Sequence, residues 1–367
     1  MLRKTSILCA IFLFVFILAI SANALEISAE HAILIECDSG DIIFQKNAFE
    51  KAPMASTTKI MTAVVAIENG KLDKIITIPR EAVGIEGSSI YLKEGERLTL
   101  YELLCALLLE SANDAATAIA IEIGGSIDGF AQLMNEKAYE LGLFSTHFTN
   151  PHGLDDSEHY TSARDLASLS RYAMKIPQFY EIVSSTKKTI PHQDDSYRIL
   201  INHNKLLKSY LGAIGVKTGF TKKSGRCLVS CAERDGVQLI AVTLDAPNDW
   251  KDHQRLLDYG FEQYESIPLA QAGDYTISLS CINGQKNEVI CSNLDALCVT
   301  LKKGDSSRLS AVFESERFVF APIKQGERVG KIVYYLDKKE IASLDICALE
   351  SIKTIKYKKS IFERIFG

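Results

Sequence analysis

Residues 216–244 read VKTGFTKKSGRCLVSCAERDGVQLIAVTL, and the alternation of apolar and polar side chains in this stretch decides the fold class. A period of two predicts strands, and the two polar links within the stretch predict three consecutive strands, Val216–Phe220, Arg226–Glu233 and Val237–Leu244. A helical pattern follows, near Trp250 to Tyr264. The stretch therefore predicts strands joined by short turns, with a helix after the last one.

The residues upstream of that stretch predict two strands and then a long helical region. Thr99-Leu100-Tyr101-Glu102 is a capping-box sequence that marks one helix start, and Asn113 or Asp114 is expected to cap the next helix. The predicted elements are strands Ala32–Glu36 and Ile42–Gln45, a helix from Ser56 to Leu72, a Leu-rich helix ending near Glu110, a helix from Ala115 and another starting at Ser162. This order predicts a mixed α/β (α+β) fold over residues 25–266, an antiparallel sheet with a helical cluster packed on it.

The composition changes near Ile267-Pro268, and the pattern beyond it favours strands alone. Turn residues separate short β-rich runs, and no convincing helix is present. The predicted strands are Tyr275–Cys281, Ala296–Lys302, Arg317–Ala321 and Arg328–Leu336. We therefore expect a small all-β, sandwich-like domain over residues 267–350.

The N-terminus has the pattern of a secretory signal peptide. Arg3 and Lys4 precede an apolar run from Ile7 to Ile20, and Ala22-Asn23-Ala24 supplies the small residues that signal peptidase needs. We expect cleavage after residue 24 and a mature start at Leu25; the alternative is an uncleaved N-terminal anchor. Both alternatives place the protein outside the cytoplasm.

The C-terminus, residues 351–367, combines apolar and basic residues at roughly helical spacing. The apolar residues are Ile352, Ile355, Ile361, Phe362, Ile365 and Phe366, and the basic ones are Lys353, Lys356, Lys358, Lys359 and Arg364. A basic amphipathic segment can lie in the membrane interface, with its lysines toward anionic lipid. We expect this segment to bind the membrane surface; the alternatives are a terminal helix docked on the body and a frayed tail.

Composition excludes some functions. The chain has 367 residues, 47% of them hydrophobic, and a formal net charge of −5, which gives no reason to expect nucleic-acid binding. The eight cysteines after residue 24 match no disulfide framework, and Cys37 and Cys105 lie in apolar settings typical of buried free thiols. No cluster has zinc-site spacing, so we expect no metal.

The first candidate catalytic motif is Ser56-Thr57-Thr58-Lys59, at a helix start. A serine needs an adjacent base to become a nucleophile, and residues three apart on a helix share a face, so Lys59 can reach the Ser56 hydroxyl. Burial or a nearby cation would lower the pKa of such a lysine. The motif is short and common, and Ser56 as an N-cap with a solvated Lys59 is the simpler interpretation of this motif alone.

Two further motifs follow. Ser111-Ala112-Asn113 lies between two apolar helices, where the hydroxyl and the amide could enter a cleft or could only cap the helices. Lys217-Thr218-Gly219 lies on a strand, where the ammonium and hydroxyl could bind a carboxylate and the glycine admits a substrate backbone; a plain edge strand is the alternative. The order Ser-x-x-Lys, Ser-x-Asn, Lys-Thr-Gly is much more specific than any of its parts.

Together the motifs resemble those of the low-molecular-mass penicillin-binding proteins, the serine D-alanyl-D-alanine carboxypeptidases of peptidase family S11. The similarity extends to Pro53–Thr62, Glu110–Ala116, Asn150–Leu154 and Gly215–Gly219, to the small β domain and to the basic tail. It implies a β-lactamase/DD-peptidase-like domain that removes the terminal D-Ala from peptidoglycan stem peptides, without a cofactor, on the extracytoplasmic face of the bacterial membrane. It also implies covalent inhibition by β-lactams.

The resemblance implies a role for each motif residue. Lys59 would deprotonate Ser56, and the backbone N–H groups of Ser56 and Phe220 would hold the oxyanion. Ser111 and Lys217 would assist proton transfer. The substrate-binding residues would be Asn113, Lys217, Thr218, Gly219 and Phe220. The family often adds an arginine for the substrate carboxylate, and none aligns within Ala246–Arg255.

Other residues bear on alternative functions. His152 is favoured as a loop-packing histidine over a triad member, because no nucleophile elbow accompanies it. A β-lactamase shares the three motifs, but the Glu-x-x-Leu-Asn element of the class A enzymes is missing. A penicillin-binding sensor that acylates without turnover would carry transmembrane helices beyond the N-terminal signal, and hydropathy indicates none.

Overall fold

The structure is a computed structural model that describes residues 25–192 and 196–355. The predicted signal peptide and residues 356–367 of the predicted membrane segment lie outside the described residues. The chain divides into two compact units. One contains most of residues 25–260, and the other contains the residues from 261 onward together with the short segments 36–41 and 233–239.

The N-terminal unit contains most of the helices. They are a 3-10 turn (Ala55–Thr58), α1 (Lys59–Asn69), a 3-10 turn (Arg80–Ala82), α2 (Leu100–Leu109), α3 (Asn113–Gly124), α4 (Ile127–Glu140), α5 (Ala163–Met174), α6 (Pro177–Ser184), α7 (Leu206–Ser209) and α8 (Asp249–Gln263). Its strands are β1 (His31–Glu36), β2 (Ile42–Lys46), β3 (Ile75–Thr77), β4 (Arg97–Thr99), β5 (Lys187–Pro191), β6 (Tyr197–Ile201), β7 (Ala213–Thr221), β8 (Gly225–Arg234) and β9 (Val237–Leu244).

A five-stranded sheet in the order β2-β1-β9-β8-β7 forms the framework of this unit. The three predicted strands of residues 216–244 are confirmed, and β7 and β8 pair antiparallel. Asp235 and Gly236 both have positive φ in the two-residue turn between β8 and β9, as a tight hairpin of this twist requires. β7 therefore forms one edge of the sheet.

The predicted helical region is confirmed, with one wrong cap. The Thr99–Glu102 capping box is present at α2, and Ser162 caps α5. Helix α3, however, begins at Asn113, and its cap residue Ala112 has no capping side chain. The prediction that Asn113 or Asp114 caps a helix from Ala115 is wrong, because the amide of Asn113 bonds to groups outside the helix.

Two short ribbons interrupt this region and were not predicted. β3 pairs with β4, and β5 pairs with β6. Strands of three to five residues are too short to establish a period of two in the sequence.

From Tyr264 to residue 355, where the description ends, the C-terminal unit contains strands and one 3-10 turn (Asp305–Arg308). Its strands are β10 (Tyr264–Ala270), β11 (Thr276–Ile282), β12 (Glu288–Ser292), β13 (Leu297–Lys302), β14 (Leu309–Ser315), β15 (Phe318–Phe320), β16 (Arg328–Leu336) and β17 (Lys339–Ala348). They form a six-stranded sheet, β14-β16-β17-β12-β11-β15, and a two-stranded ribbon, β10-β13. β14 was not predicted, because none of its residues is buried and the strand has no apolar face.

The predicted boundary of the membrane segment at residue 351 needs correction. Ile352 is 3% exposed and belongs to the apolar core of the C-terminal unit. It also forms an isolated bridge with Ile323. Ile352 is therefore a core residue and not part of a lipid-facing surface.

The described residues contain no helix that is both long enough and apolar enough to cross a bilayer.

Candidate active site

Ser56 lies in the 3-10 turn Ala55–Thr58, which leads directly into α1. The neighbouring hydroxyls are bound locally, since Thr57 Oγ1 donates to the Met54 carbonyl at 2.6 Å and Thr58 Oγ1 donates to the Ala55 carbonyl at 2.8 Å. Ser56 itself is partly exposed. It does not cap a helix, because it lies inside the 3-10 turn, whose N-cap position is Met54. Its hydroxyl is the one in this turn that is available to a ligand.

Lys59 is fully buried, and its ammonium nitrogen contacts three oxygens. Nζ lies 3.0 Å from Ser56 Oγ, 2.7 Å from Asn113 Oδ1 and 2.6 Å from the His152 carbonyl oxygen. Burial is the main cause that holds the pKa of Lys59 well below its usual value. The charge of Lys217 lowers this pKa further, while that of Asp114 raises it.

The three contacts determine how a neutral Lys59 must be oriented. A neutral amine has two hydrogens and one lone pair, and carbonyl oxygens can only accept. The two hydrogens therefore go to Asn113 Oδ1 and the His152 carbonyl, and the lone pair faces the Ser56 hydroxyl. Neutral Lys59 is thus oriented as a base toward Ser56 Oγ.

The orientation of the Asn113 amide follows from its other partner. Nδ2 donates to the Glu86 carbonyl, which cannot donate, so Oδ1 must face Lys59. The backbone N–H of Asn113 donates to the Ser88 carbonyl at 2.7 Å. Gly87 lies so close that a Cβ there would be 2.7 Å from Nδ2. The loop around residues 86–88 thus fixes this side chain.

The loop at residues 150–153 holds the other acceptor of Lys59. Thr62 Oγ1 donates to the Pro151 carbonyl at 2.6 Å, and a Cβ on Gly153 would lie 1.9 Å from the Ala55 carbonyl oxygen. His152 is buried, and burial is the main cause that lowers its pKa to about 3. Its Nδ1 accepts from the Leu154 N–H, which confirms the prediction of a loop-packing histidine.

A second buried histidine supports the nucleophile's turn. His159 Nδ1 accepts from the Thr149 backbone N–H, so Nε2 carries the hydrogen and donates it to Thr58 Oγ1 at 2.7 Å. Burial lowers the pKa of His159 to about 4, which keeps this arrangement neutral. No motif in the sequence indicates this role of His159.

The edge of β7 brings the third motif beside Ser56. A Cβ on Gly219 would lie 3.1 Å from the Ser56 backbone nitrogen, so the glycine allows this close approach. Lys217 is buried, its Nζ donates to the Thr218 carbonyl at 3.0 Å, and burial lowers its pKa to about 7. The strand thus carries a titratable amine into the site.

The backbone of Phe220 points to the open side of β7. Phe220 pairs with Arg226, and the Arg226 carbonyl accepts from the Ala246 N–H on the opposite side of β8. The Phe220–Arg226 pair is therefore a non-hydrogen-bonded pair, in which the N–H and C=O of Phe220 point away from β8. By the same alternation Thr218 also directs its backbone groups to the free edge. The edge is available for a substrate backbone.

Ser111 lies in the turn between α2 and α3 with φ of 60° and is 4% exposed. Within the residues that the structure describes, its hydroxyl has no hydrogen-bond partner. Ser111 is thus two residues before Asn113, which accepts a hydrogen bond from Lys59, but the Ser111 hydroxyl itself makes no hydrogen bond to Lys59 or Ser56.

Arg226 is a basic residue near the third motif that the sequence did not single out. It shares a sheet face with Thr218 and Phe220 because of its register with Phe220. Its Nε lies 3.0 Å from Asp249 Oδ1, and its side chain is 44% exposed. Among the described residues the two terminal nitrogens of Arg226 have no protein partner.

A serine hydroxyl held by a buried lysine, beside backbone N–H groups at an open strand edge, defines a serine enzyme of the acyl-transfer class. The comparisons with known proteins specify the family. The D-alanyl-D-alanine carboxypeptidase family, peptidase S11, matches residues 18–248, and the C-terminal domain of penicillin-binding protein 5 matches residues 264–354. The chain belongs to the S11 family of serine peptidases and is a hydrolase.

The similar proteins cover nearly the whole chain. The D-alanyl-D-alanine carboxypeptidase DacF of Bacillus subtilis is 32% identical over 89% of this chain and 86% of its own length. DacC of Escherichia coli is 32% identical over 93% of this chain and 90% of its own. The structure of penicillin binding protein 5 from Haemophilus influenzae has a TM-score of 0.68 at 29% identity, covering 89% of this chain and 98% of that one. These likenesses confirm the predicted fold class.

Proposed function

We propose that this protein removes the terminal D-alanine from peptidoglycan stem peptides through an acyl-enzyme on Ser56. The observation that carries the proposal is the 3.0 Å contact between buried Lys59 Nζ and Ser56 Oγ, with Nζ held by Asn113 Oδ1 and the His152 carbonyl. The carboxypeptidase names of the relatives support the choice of substrate.

The reaction proceeds in two halves. Lys59 takes the Ser56 proton as Oγ attacks the carbonyl carbon between the two D-Ala residues, and the N–H groups of Ser56 and Phe220 stabilise the oxyanion. The C–N bond then breaks, and the proton on Lys59, passed on with the help of Ser111 and Lys217, goes to the leaving amine. Water attacks the Ser56 ester in the second half, releasing the shortened peptide as a carboxylic acid and restoring the hydroxyl.

The substrate lies along the free edge of β7, where its backbone pairs with that of Thr218 and Phe220. A carbonyl group of the substrate lies near Asn113. The terminal carboxylate is received by Lys217 and the Thr218 hydroxyl. The exposed terminal nitrogens of Arg226, steadied through Nε by Asp249, contribute to the same carboxylate site.

The role of Arg226 has its own test. Arg226→Gln removes the guanidinium, and we expect KM for a peptide ending in D-Ala-D-Ala to rise by about 3- to 30-fold, because a charge-assisted hydrogen bond is lost. A peptide amidated at its C-terminus lacks the charge and should lose much less. An equal effect on both peptides would contradict the assignment.

β-Lactams would acylate the same Ser56 and remain bound as inhibitors. The predicted signal peptide directs the protein to the extracytoplasmic face of the bacterial membrane, and the basic residues of 356–367 attach it to anionic lipid there.

The test of the proposed activity is release of free D-alanine from an N-acylated peptide ending in D-Ala-D-Ala, with wild type and Ser56→Ala side by side. Release by the wild type alone supports the carboxypeptidase and its nucleophile. Covalent penicillin binding without release would indicate a sensor, and rapid penicillin hydrolysis without release would indicate a β-lactamase.

A further inference from the structure

The outer face of β11, β12 and β15 in the C-terminal unit carries large apolar side chains that no part of the described chain covers. Along β11 the residues alternate between exposed and at least partly buried, and Ile282 is on the exposed face. Phe320 pairs with Ile282, and Phe318 pairs with Ser280. The side chains of Ile282, Phe318 and Phe320 therefore lie on the same face of the sheet. Ile290 of β12, opposite Ser278, extends it.

The exposure of this surface is high for such residues. Phe320 is 63% exposed, Phe318 47%, and Ile282 and Ile290 are each 41% exposed. The two phenylalanine rings pack edge to face with centroids 5.4 Å apart. We call these four residues the apolar face. Within the outward positions of its three strands the single acid is Glu288, whose carboxylate accepts from Ser278 Oγ.

The described chain ends beside this surface. The Ile355 N–H donates to the Asn283 carbonyl, and Thr354 bridges Gly284, so residue 355 lies next to the end of β11. Ile355 is itself 42% exposed. Residues 356–367, which begin at this point, contain Lys356, Lys358, Lys359 and Arg364 against the one acid Glu363.

We propose that the apolar face is a second membrane contact, which inserts Phe318 and Phe320 into the interface of an anionic bilayer beside the basic C-terminal residues. Aromatic side chains on a rigid strand gain free energy when they leave water, while the lysines are attracted to lipid phosphates. A single weak membrane signal gives marginal, reversible binding, and stable anchoring takes two. The inference rests on the proposed membrane association and is separate from the catalytic proposal.

The experiment is co-sedimentation of the mature chain, residues 25–367, with vesicles of phosphatidylglycerol and phosphatidylcholine. We expect Phe318→Ser with Phe320→Ser to weaken binding by about tenfold or more, since two partly buried aromatic side chains are lost. The matched control is Tyr197→Ser with Ile199→Ser, which removes two exposed apolar residues at the same spacing from β6. The control should bind like wild type, and D-alanine release should be unchanged in both variants.

A second arm locates the aromatic side chain directly. Trp250 is the only tryptophan of the chain, so Phe320→Trp in a Trp250→Phe background carries one fluorescent reporter on the apolar face. Brominated lipid should quench its fluorescence. Absence of quenching in vesicle-bound protein would overturn the contact.

Other outcomes are equally decisive. Binding that disappears when residues 356–367 are deleted, but is unaffected by the double serine variant, would overturn the apolar face and leave the tail as the anchor. A wild type that releases D-alanine but binds no vesicles would remove the membrane contact and leave the catalytic proposal intact. A change in dimerisation without a change in vesicle binding would assign the face to a second copy of the chain.

Discussion

Within the described residues of the N-terminal unit, Ser56 and Ser230 each have a hydroxyl bonded to a nitrogen base, but their surroundings differ. Ser56 faces Lys59 at 3.0 Å and is partly exposed. Ser230 Oγ lies 2.5 Å from His253 Nδ1, and Thr243 Oγ1 lies 3.0 Å from His253 Nε2, with all three residues fully buried. The second cluster is a closed polar network in the core.

The difference shows that a hydroxyl–base hydrogen bond does not by itself make a nucleophile. His253 lies between two hydroxyls that can each donate or accept, so these two contacts do not set its tautomer. Lys59 has two partners that can only accept, which leaves one orientation for its lone pair. Ser56 also has backbone N–H groups at an open edge nearby, and Ser230 has no access to a ligand.

The largest expected effect separates the two serines. Ser56→Ala should lower kcat for D-alanine release by about 10⁴-fold or more and abolish covalent labelling by penicillin. Ser230→Ala should leave kcat within about twofold and cost about 1–3 kcal/mol of stability, because a buried nitrogen loses its partner. Steady-state kinetics and thermal unfolding measure the two effects. A large kinetic loss in folded Ser230→Ala would break the comparison.

The next effect concerns the second partner of each base. Asn113→Ala removes one acceptor of Lys59 and frees its lone pair to turn away, so the rate of acylation by penicillin should fall by about 10²-fold. Thr243→Val removes the corresponding partner of His253 and should leave this rate unchanged. Stopped-flow labelling with a fluorescent penicillin checks both. Equal rates in wild type and Asn113→Ala would contradict the orienting role.

The pH dependence of acylation sharpens the comparison further. Acylation needs neutral Lys59, so the rate should fall at low pH as this lysine is protonated. Burial is the main cause of the low pKa of Lys59, and the charge of Lys217 lowers it further; Lys217→Gln removes that charge, so the acid limb of the pH–rate profile should move to higher pH. Lys217→Gln should also lower the acylation rate at every pH, so the measured quantity is the pH at which the rate begins to fall and not the rate itself. His253→Gln should keep the limb in place, and a shift there would point to indirect effects.

The smallest expected effect is on stability in acid. Burial lowers the pKa of His253 to about 3, so between about pH 3 and the ordinary histidine pKa of about 6.5 the unfolded chain binds a proton that the folded chain excludes. Stability should therefore fall as the pH falls through 6.5. His253→Gln keeps hydrogen bonds to both hydroxyls and should reduce this dependence by about 1.4 kcal/mol per pH unit. Urea titrations at pH 4 to 7 test it, and an unchanged slope would contradict it.

The sequence predicted what depends on side-chain type and local pattern. The strands β7 to β9, the α2 capping box and the order of the three motifs all follow from periodicity and residue identity. The acceptors that orient Lys59 could not be found in this way. The His152 and Glu86 oxygens are backbone carbonyls, which every residue possesses, and only the folded loops bring them to Lys59 and Asn113.

Other gaps have equally physical causes. Arg226 carries no motif, and its place beside Phe220 depends on the register of β7 and β8. Ile352 has the spacing of an amphipathic segment, yet the core of the C-terminal unit buries it. Tertiary packing decided these cases, and periodicity alone could not.

The position of β1 in the sheet has a consequence for how the protein matures. β1 lies between β2 and β9, so residues 31–36 can pair early with β2 but meet their second partner, β9, only after residues 237–244 have been synthesised. Such non-local pairing is slow, because the loop between the strands must close first. A chain that stops before β7 would contain Ser56, Lys59 and Asn113 but none of the Phe220 edge. Reactivity toward a fluorescent penicillin would therefore begin only when folding has brought the β7 edge beside Ser56.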